Sequence, residues 1–142
     1  QLRKKGHLIV SLRPAKYADF ILKDLSPFEF AGIFKYFTFT LTHRFHDSVF
    51  CIKNLCPFLL FLPGLQYRNE LGNSKQSSLM DSFDLREHNF IEDISTQSAE
   101  NLLEQIPIAI DAFKKKENDI RKQTLIYKNE LLEYINQTAQ YL

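Results

Sequence analysis

Five potential metal ligands, His43, His46, Asp47, Cys51 and Cys56, fall within one fourteen-residue stretch. Histidine and cysteine at close spacing are what a zinc site uses, because imidazole nitrogen and thiolate sulfur suit that ion in a tetrahedral shell. The spacing here is HxxHx4Cx4C, which matches no common zinc finger. Two such cysteines are more simply read as small apolar residues of a core. No metal and no cofactor is therefore assigned. The rest of the chain holds no Gly-rich phosphate loop, no nucleophile elbow and no arrangement of paired carboxylates. The chain reads as a non-catalytic protein.

A second chemistry is electrostatic. The first 16 residues contain Arg3, Lys4, Lys5, Arg13 and Lys16 and no acid. Such a strip can face nucleic-acid phosphates, or it can be a solvated edge. Ser74, Lys75 and Gln76 lie in the polar run GNSKQSS, Gly72 to Ser78, which reads as the clearest loop in the chain. Gln76 there could make a bidentate contact to adenine. Lys114-Lys115-Lys116 has Glu117 and Asp119 beside it and reads as a solvated helix face.

What must position these residues is bounded by composition. A chain of 142 residues is one domain, or one domain with an appendage. Hydrophobic residues at 44% and charged residues at 25% are ordinary for a globular protein. Nine of the 13 Phe fall between Phe28 and Phe61, which places a core there. The longest uncharged apolar stretch, Asn54 to Tyr67, contains Pro57, Pro63 and Gly64. It is too short and broken to span a bilayer, so no membrane partner is expected. The chain begins with Gln and shows no signal peptide, which reads as a piece or a processed product. Two cysteines make no disulfide framework and favour a reducing, cytoplasmic setting.

Along the chain, His7 to Arg13 (HLIVSLR) reads as a strand stopped by Pro14. Ala18 to Asp24 suits a strand or a helix. Ser26-Pro27-Phe28-Glu29 has the form of a capping box with Pro at the first helical position. Phe37 to Thr42 alternates and reads as a strand. Asp47-Ser48 opens a segment of either type, and Pro57 to Glu70 reads as a helix interrupted near Pro63-Gly64. Asp84 to His88 looks like one helical turn, with a short strand at Asn89 to Ile94.

From Ser98 to Tyr141 the pattern is helical for 44 residues, roughly 65 Å at 1.5 Å per residue. Residues before it would fold to a globule only ~35 Å across. Ile110, Phe113, Ile120, Tyr127 and Leu131 share one stripe, interrupted by Glu117 and Thr124. The spacing predicts that only the first turns lie on the globule and that a second helix covers the remainder, as in a coiled coil. Pro107 either kinks this helix or marks its first turn. The expected fold class is a small mixed α/β domain over residues 1–95, followed by a long coiled-coil-forming helix over 96–142.

The order of these pieces resembles the second part of a target recognition domain from the specificity subunit of type I restriction–modification systems. That family has a turn and strand like Lys4-Lys5-Gly6-His7-Leu8-Ile9-Val10-Ser11-Leu12-Arg13, although His7 takes the place of its usual acid. Phe58-Leu59-Leu60-Phe61-Leu62 is similar to a leucine-rich helix of the family. Gly72-Asn73-Ser74-Lys75-Gln76 and Asp84-Leu85 are similar to its loop and turn. Ile110-Asp111, Ile120, Lys128, Leu131-Leu132 and Ile135 look like its spacer helix.

The resemblance implies sequence-specific binding of double-stranded DNA, with Arg3, Lys4, Lys5, Arg13 and Lys16 on phosphates and Ser74, Lys75 and Gln76 near bases. It also implies that the helix pairs, through Ile110, Phe113, Ile120, Tyr127 and Leu131, with a second specificity half or a second copy. Methyltransferase and restriction subunits would be the protein partners. The main alternative is a helical interaction module, unrelated to DNA, that dimerises or docks through its terminal helix. A distant alternative rests on His46-Asp47, the dyad of metal-dependent phosphohydrolases. That fold needs an earlier His on a helix, whereas His7 reads as part of a strand.

Overall fold

A computed structural model describes residues 2–64 and 74–139. The chain divides into two compact units, Gln1–Ile33 and Phe34–Leu142. The break falls inside the phenylalanine-rich region, leaving Phe28 and Phe30 in the first unit and the remainder in the second.

The first unit is held by local polar contacts. Arg3–Lys5 forms one turn of 3-10 helix, closed by Gly6 at φ +84° with its N–H donating to the Arg3 carbonyl. That left-handed conformation favours glycine, which has no Cβ to clash. Strand β1 (Val10–Ser11) pairs in parallel with β2 (Phe20–Ile21). Both lie inside the segments where strands were expected or allowed. Helix α1 (Pro27–Ile33) starts with the expected box. The Glu29 N–H donates to Ser26 Oγ at 3.3 Å, and the Ser26 N–H donates to Glu29 Oε2 at 2.8 Å. No described residue of this unit is buried.

The second unit is built on a parallel sheet in the order β3-β4-β5: Thr40–Thr42, Phe58–Phe61 and Phe90–Ile91. Helix α2 (Phe45–Asn54) crosses from β3 to β4. Helices α3 (Lys75–Ser82) and α4 (Arg86–Asn89) lie between β4 and β5. The segment expected to form a helix from Pro57 to Glu70 instead supplies the central strand. Parallel strands covered on both sides read as unbroken apolar runs, and Phe58, Leu59 and Leu60 are all buried. Periodicity cannot separate such a run from a buried helix turn. Leu65 to Glu70 lies outside the described residues.

The expected 44-residue helix is two helices, α5 (Ala99–Lys115) and α6 (Glu117–Ala139). Ser98 caps the first by accepting from the Asn101 N–H at 3.1 Å. Pro107 lies inside α5, not at its start. The joint is Lys116, at φ −95° and ψ 2°, whose ammonium binds the carbonyl and carboxylate of Asp84.

Helix α5 belongs to the core. Phe113 meets Phe58 edge-on with ring centroids 5.8 Å apart, and Ala109 packs with Leu59 and Ile91. Buried Asn89 ties these layers together. Its amide donates to the Phe58 carbonyl at 2.7 Å and to the Ala109 carbonyl at 3.0 Å.

Candidate functional site

The basic residues of the first unit divide into two roles. Arg3 is part of the scaffold: it pairs with Asp19 at 2.9 Å and donates to the Tyr17 carbonyl. Asp19 Oδ2 also accepts the Ile9 N–H at 2.7 Å. That backbone donor, with the Arg3 guanidinium, holds the Asp19 carboxyl below its ordinary value. Lys4, Lys5, Arg13 and Lys16 are exposed and make no ion pair among the described residues. Asp19, the nearest acid in sequence, is already committed to Arg3. The unit carries six Lys/Arg against three Asp/Glu, whereas the second unit carries 12 against 14.

Ser74, Lys75 and Gln76 are not in a loop. Ser74 is the N-cap of α3 and is buried, its hydroxyl accepting the Ser77 N–H at 3.0 Å. Ser77 returns the bond, with its Oγ accepting the Ser74 N–H at 2.9 Å. The Ser74 hydroxyl is thus engaged in capping α3. Lys75 is exposed and Gln76 half-buried in the first turn, where anions are favoured by free N–H groups and the helix dipole. The signal was S-x-x-S. A capping box is usually recognised by Glu or Gln at its fourth position, which is why the run looked like a plain loop. Gly72 and Asn73 lie outside the described residues.

The stripe assigned to helix pairing is split by the fold. Phe113 and Ile120 are both 1% exposed and are buried by their own unit. Their side chains are therefore not on the surface of the second unit. Ile110 is half-buried. Tyr127 touches Phe83, with ring centroids 5.7 Å apart. Beyond it Leu131, Leu132, Tyr134 and Ile135 are exposed. The second unit thus covers the stripe as far as Ile120 and leaves it exposed from Leu131 onward.

The histidine-rich stretch has a structural task. Thr42 Oγ1 donates to buried Asp47 Oδ2 at 2.9 Å and accepts the Arg44 N–H at 3.0 Å, tying the end of β3 to the first turn of α2. Arg44 also approaches Asp47 at 3.7 Å. His46 points to solvent. Among the described residues no group of three His, Cys, Asp or Glu side chains is placed to hold a metal.

A cavity of about 460 Å³ lies in the second unit beside β5, lined by Glu87, Glu92, Asp93, Gln97, Gln105 and Ile108 among others. No helix among the described residues is long and apolar enough to cross a membrane. Comparison with protein-family models, curated proteins and solved structures gives no match.

Proposed function

We propose that this chain is a DNA-recognition segment of the kind found in type I restriction–modification specificity subunits. The observation that carries the reading is the set of four exposed, unpaired cations, Lys4, Lys5, Arg13 and Lys16, on a net-basic unit. Cations held this way suit phosphate contacts, which fix register and dominate affinity. Lys75 and Gln76 would add contacts from the first turn of α3. The chain does no chemistry itself in this reading. Methyltransferase and restriction subunits supply it, docked through the long helix.

The test is duplex binding across a salt series. A steep loss of affinity with salt, flattened when the four cations become Ala, is the expected result. Salt-independent binding, or none at low ionic strength, defeats the proposal.

A second reading is favoured by the exposed end of α6. Leu131, Leu132, Tyr134 and Ile135 form an apolar surface suited to a helical partner, with or without DNA. Association through α6 in a chain that ignores DNA would favour this interaction module.

A further inference from the structure

The C-terminal end of α2 is a Schellman motif, in which the helix finishes on a left-handed residue and two backbone bonds fold back. Leu55 is the left-handed residue, at φ +54° and ψ 36°. Its N–H donates to the Ile52 carbonyl at 3.2 Å, and the Cys56 N–H donates to the Cys51 carbonyl at 2.9 Å. This geometry sets the side chain three places inside the helix end against the one just beyond it, usually as an apolar contact. Here those two residues are Cys51 and Cys56.

Both thiols are free and buried, at 0% and 2% exposure, and they share a hydrogen bond. Cys56 Sγ also lies 3.4 Å from Thr40 Oγ1 on β3. With Cys51 as its hydrogen-bond donor, Cys56 is held below the ordinary thiol value, while burial pushes Cys51 up. Cys56 Sγ also donates to the Phe37 and Pro57 carbonyls, each at 3.5 Å, so closure depends on the proximity of the two sulfurs rather than on which one carries the proton.

We propose that Cys51 and Cys56 form a redox-sensitive clip, closing to an intramolecular disulfide at the end of α2 when the chain meets a peroxide. The Cys56 thiolate attacks one peroxide oxygen, which breaks the O–O bond, gives a sulfenic acid and releases hydroxide. Cys51 sulfur then attacks the sulfenic sulfur. Its proton leaves with the departing hydroxyl as water. Two thiols and one hydrogen peroxide become one disulfide and two waters. A small dithiol or glutathione reverses the step by thiol–disulfide exchange. Because both sulfurs are buried, the step requires local opening of the helix end, where Leu55 is half-buried and holds a left-handed backbone.

The clip is independent of the DNA reading. The disulfide would fix the helix end directly before the central strand, next to Pro57, whose carbonyl accepts the Thr40 N–H at 2.9 Å one residue ahead of Phe58.

The experiment equilibrates the intact chain with reduced and oxidised glutathione, folded and in urea, and measures the fraction closed by intact mass and peptide mapping. Native geometry that favours closure makes the disulfide more stable in the folded chain, by about tenfold or more, because whatever favours it also stabilises the fold. Hydrogen peroxide on the folded chain should give the same species, 2 Da lighter by loss of two hydrogens. A disulfide no more stable in the folded chain than in urea overturns the proposal. So does recovery of only mixed glutathione adducts or intermolecular bridges, or two thiols that persist in peroxide while the unfolded chain closes.

Discussion

The two units are stabilised by different physics. Gln1–Ile33 has no buried residue among those described, and polar clips hold it: Gly6 on Arg3, Asp19 on Arg3 and Ile9, Ser26 on Glu29. Phe34–Leu142 is organised around a central strand with Phe58, Leu59 and Leu60 all out of water. Burial of a large apolar side chain contributes about 1.5–3 kcal/mol, whereas exposed ion pairs contribute roughly 0–1 kcal/mol. A unit without a core tolerates a charged, adaptable surface, because little packing is disturbed when a lysine moves. A unit with a core must keep its chemistry out of the packing. The lesson is that the surfaces free to bind lie where the core is not.

That contrast breaks most visibly in the core. Phe113→Ala should cost about 3–5 kcal/mol, since it opens a cavity beneath Phe58. Chemical denaturation would measure it, and a change below about 1 kcal/mol would show that α5 is not part of the second unit. Asn89→Ala should cost roughly 1–3 kcal/mol, because the Phe58 and Ala109 carbonyls lose a buried donor.

A matched pair sharpens the division of the terminal helix. Ile120→Asp places a carboxylate in a fully buried site and should unfold the second unit at moderate temperature. Leu131→Asp, on the exposed extension of the same stripe, should change stability by no more than about 0.5 kcal/mol. Any effect of Leu131→Asp should appear in sedimentation, as loss of self-association. Equal thermal shifts for the two variants would mean that the helix is covered to its end.

The smallest effect is in the first unit and depends on pH. Asp19 and Glu29 both titrate below their ordinary values of 3.8 and 4.5, Asp19 chiefly through the Ile9 N–H and Glu29 chiefly through the Ser26 hydroxyl. A carboxyl lowered on folding contributes stability that is complete above its unfolded value and lost as pH falls through its folded value. The amide resonances of Ile9 and Ser26 should therefore hold steady at neutral pH and shift as the solution is acidified below about 4. Their insensitivity to acid would remove both clips.

What could be read from the sequence follows the same contrast. Side-chain rules with a fixed spacing were legible: the Ser26–Glu29 box, the helical turn near Leu85 and the alternating strand ending at Thr42 all have counterparts. The central strand was not legible, because a four-residue apolar run carries no period once both of its faces are covered. The stripe on α5 and α6 was legible as a stripe. Its division between Ile120, inside, and Leu131, outside, depends on how far the globule reaches, which no local pattern records. The candidate site divides in the same way. Exposure of Lys4, Lys5, Arg13 and Lys16 agrees with their charge, whereas Arg3 and Ser74 turned out to be occupied by structural bonds.

The most direct test of the account is the salt dependence of duplex binding by the wild-type chain and by a variant with Lys4, Lys5, Arg13 and Lys16 all changed to Ala. The account predicts that log affinity falls steeply with log salt in the wild type. The slope in the variant should be smaller by about 3–4, near 0.9 for each phosphate contact removed. The second unit should keep its stability, because none of the four residues belongs to it. An unchanged slope and affinity in a variant that remains folded would contradict the account.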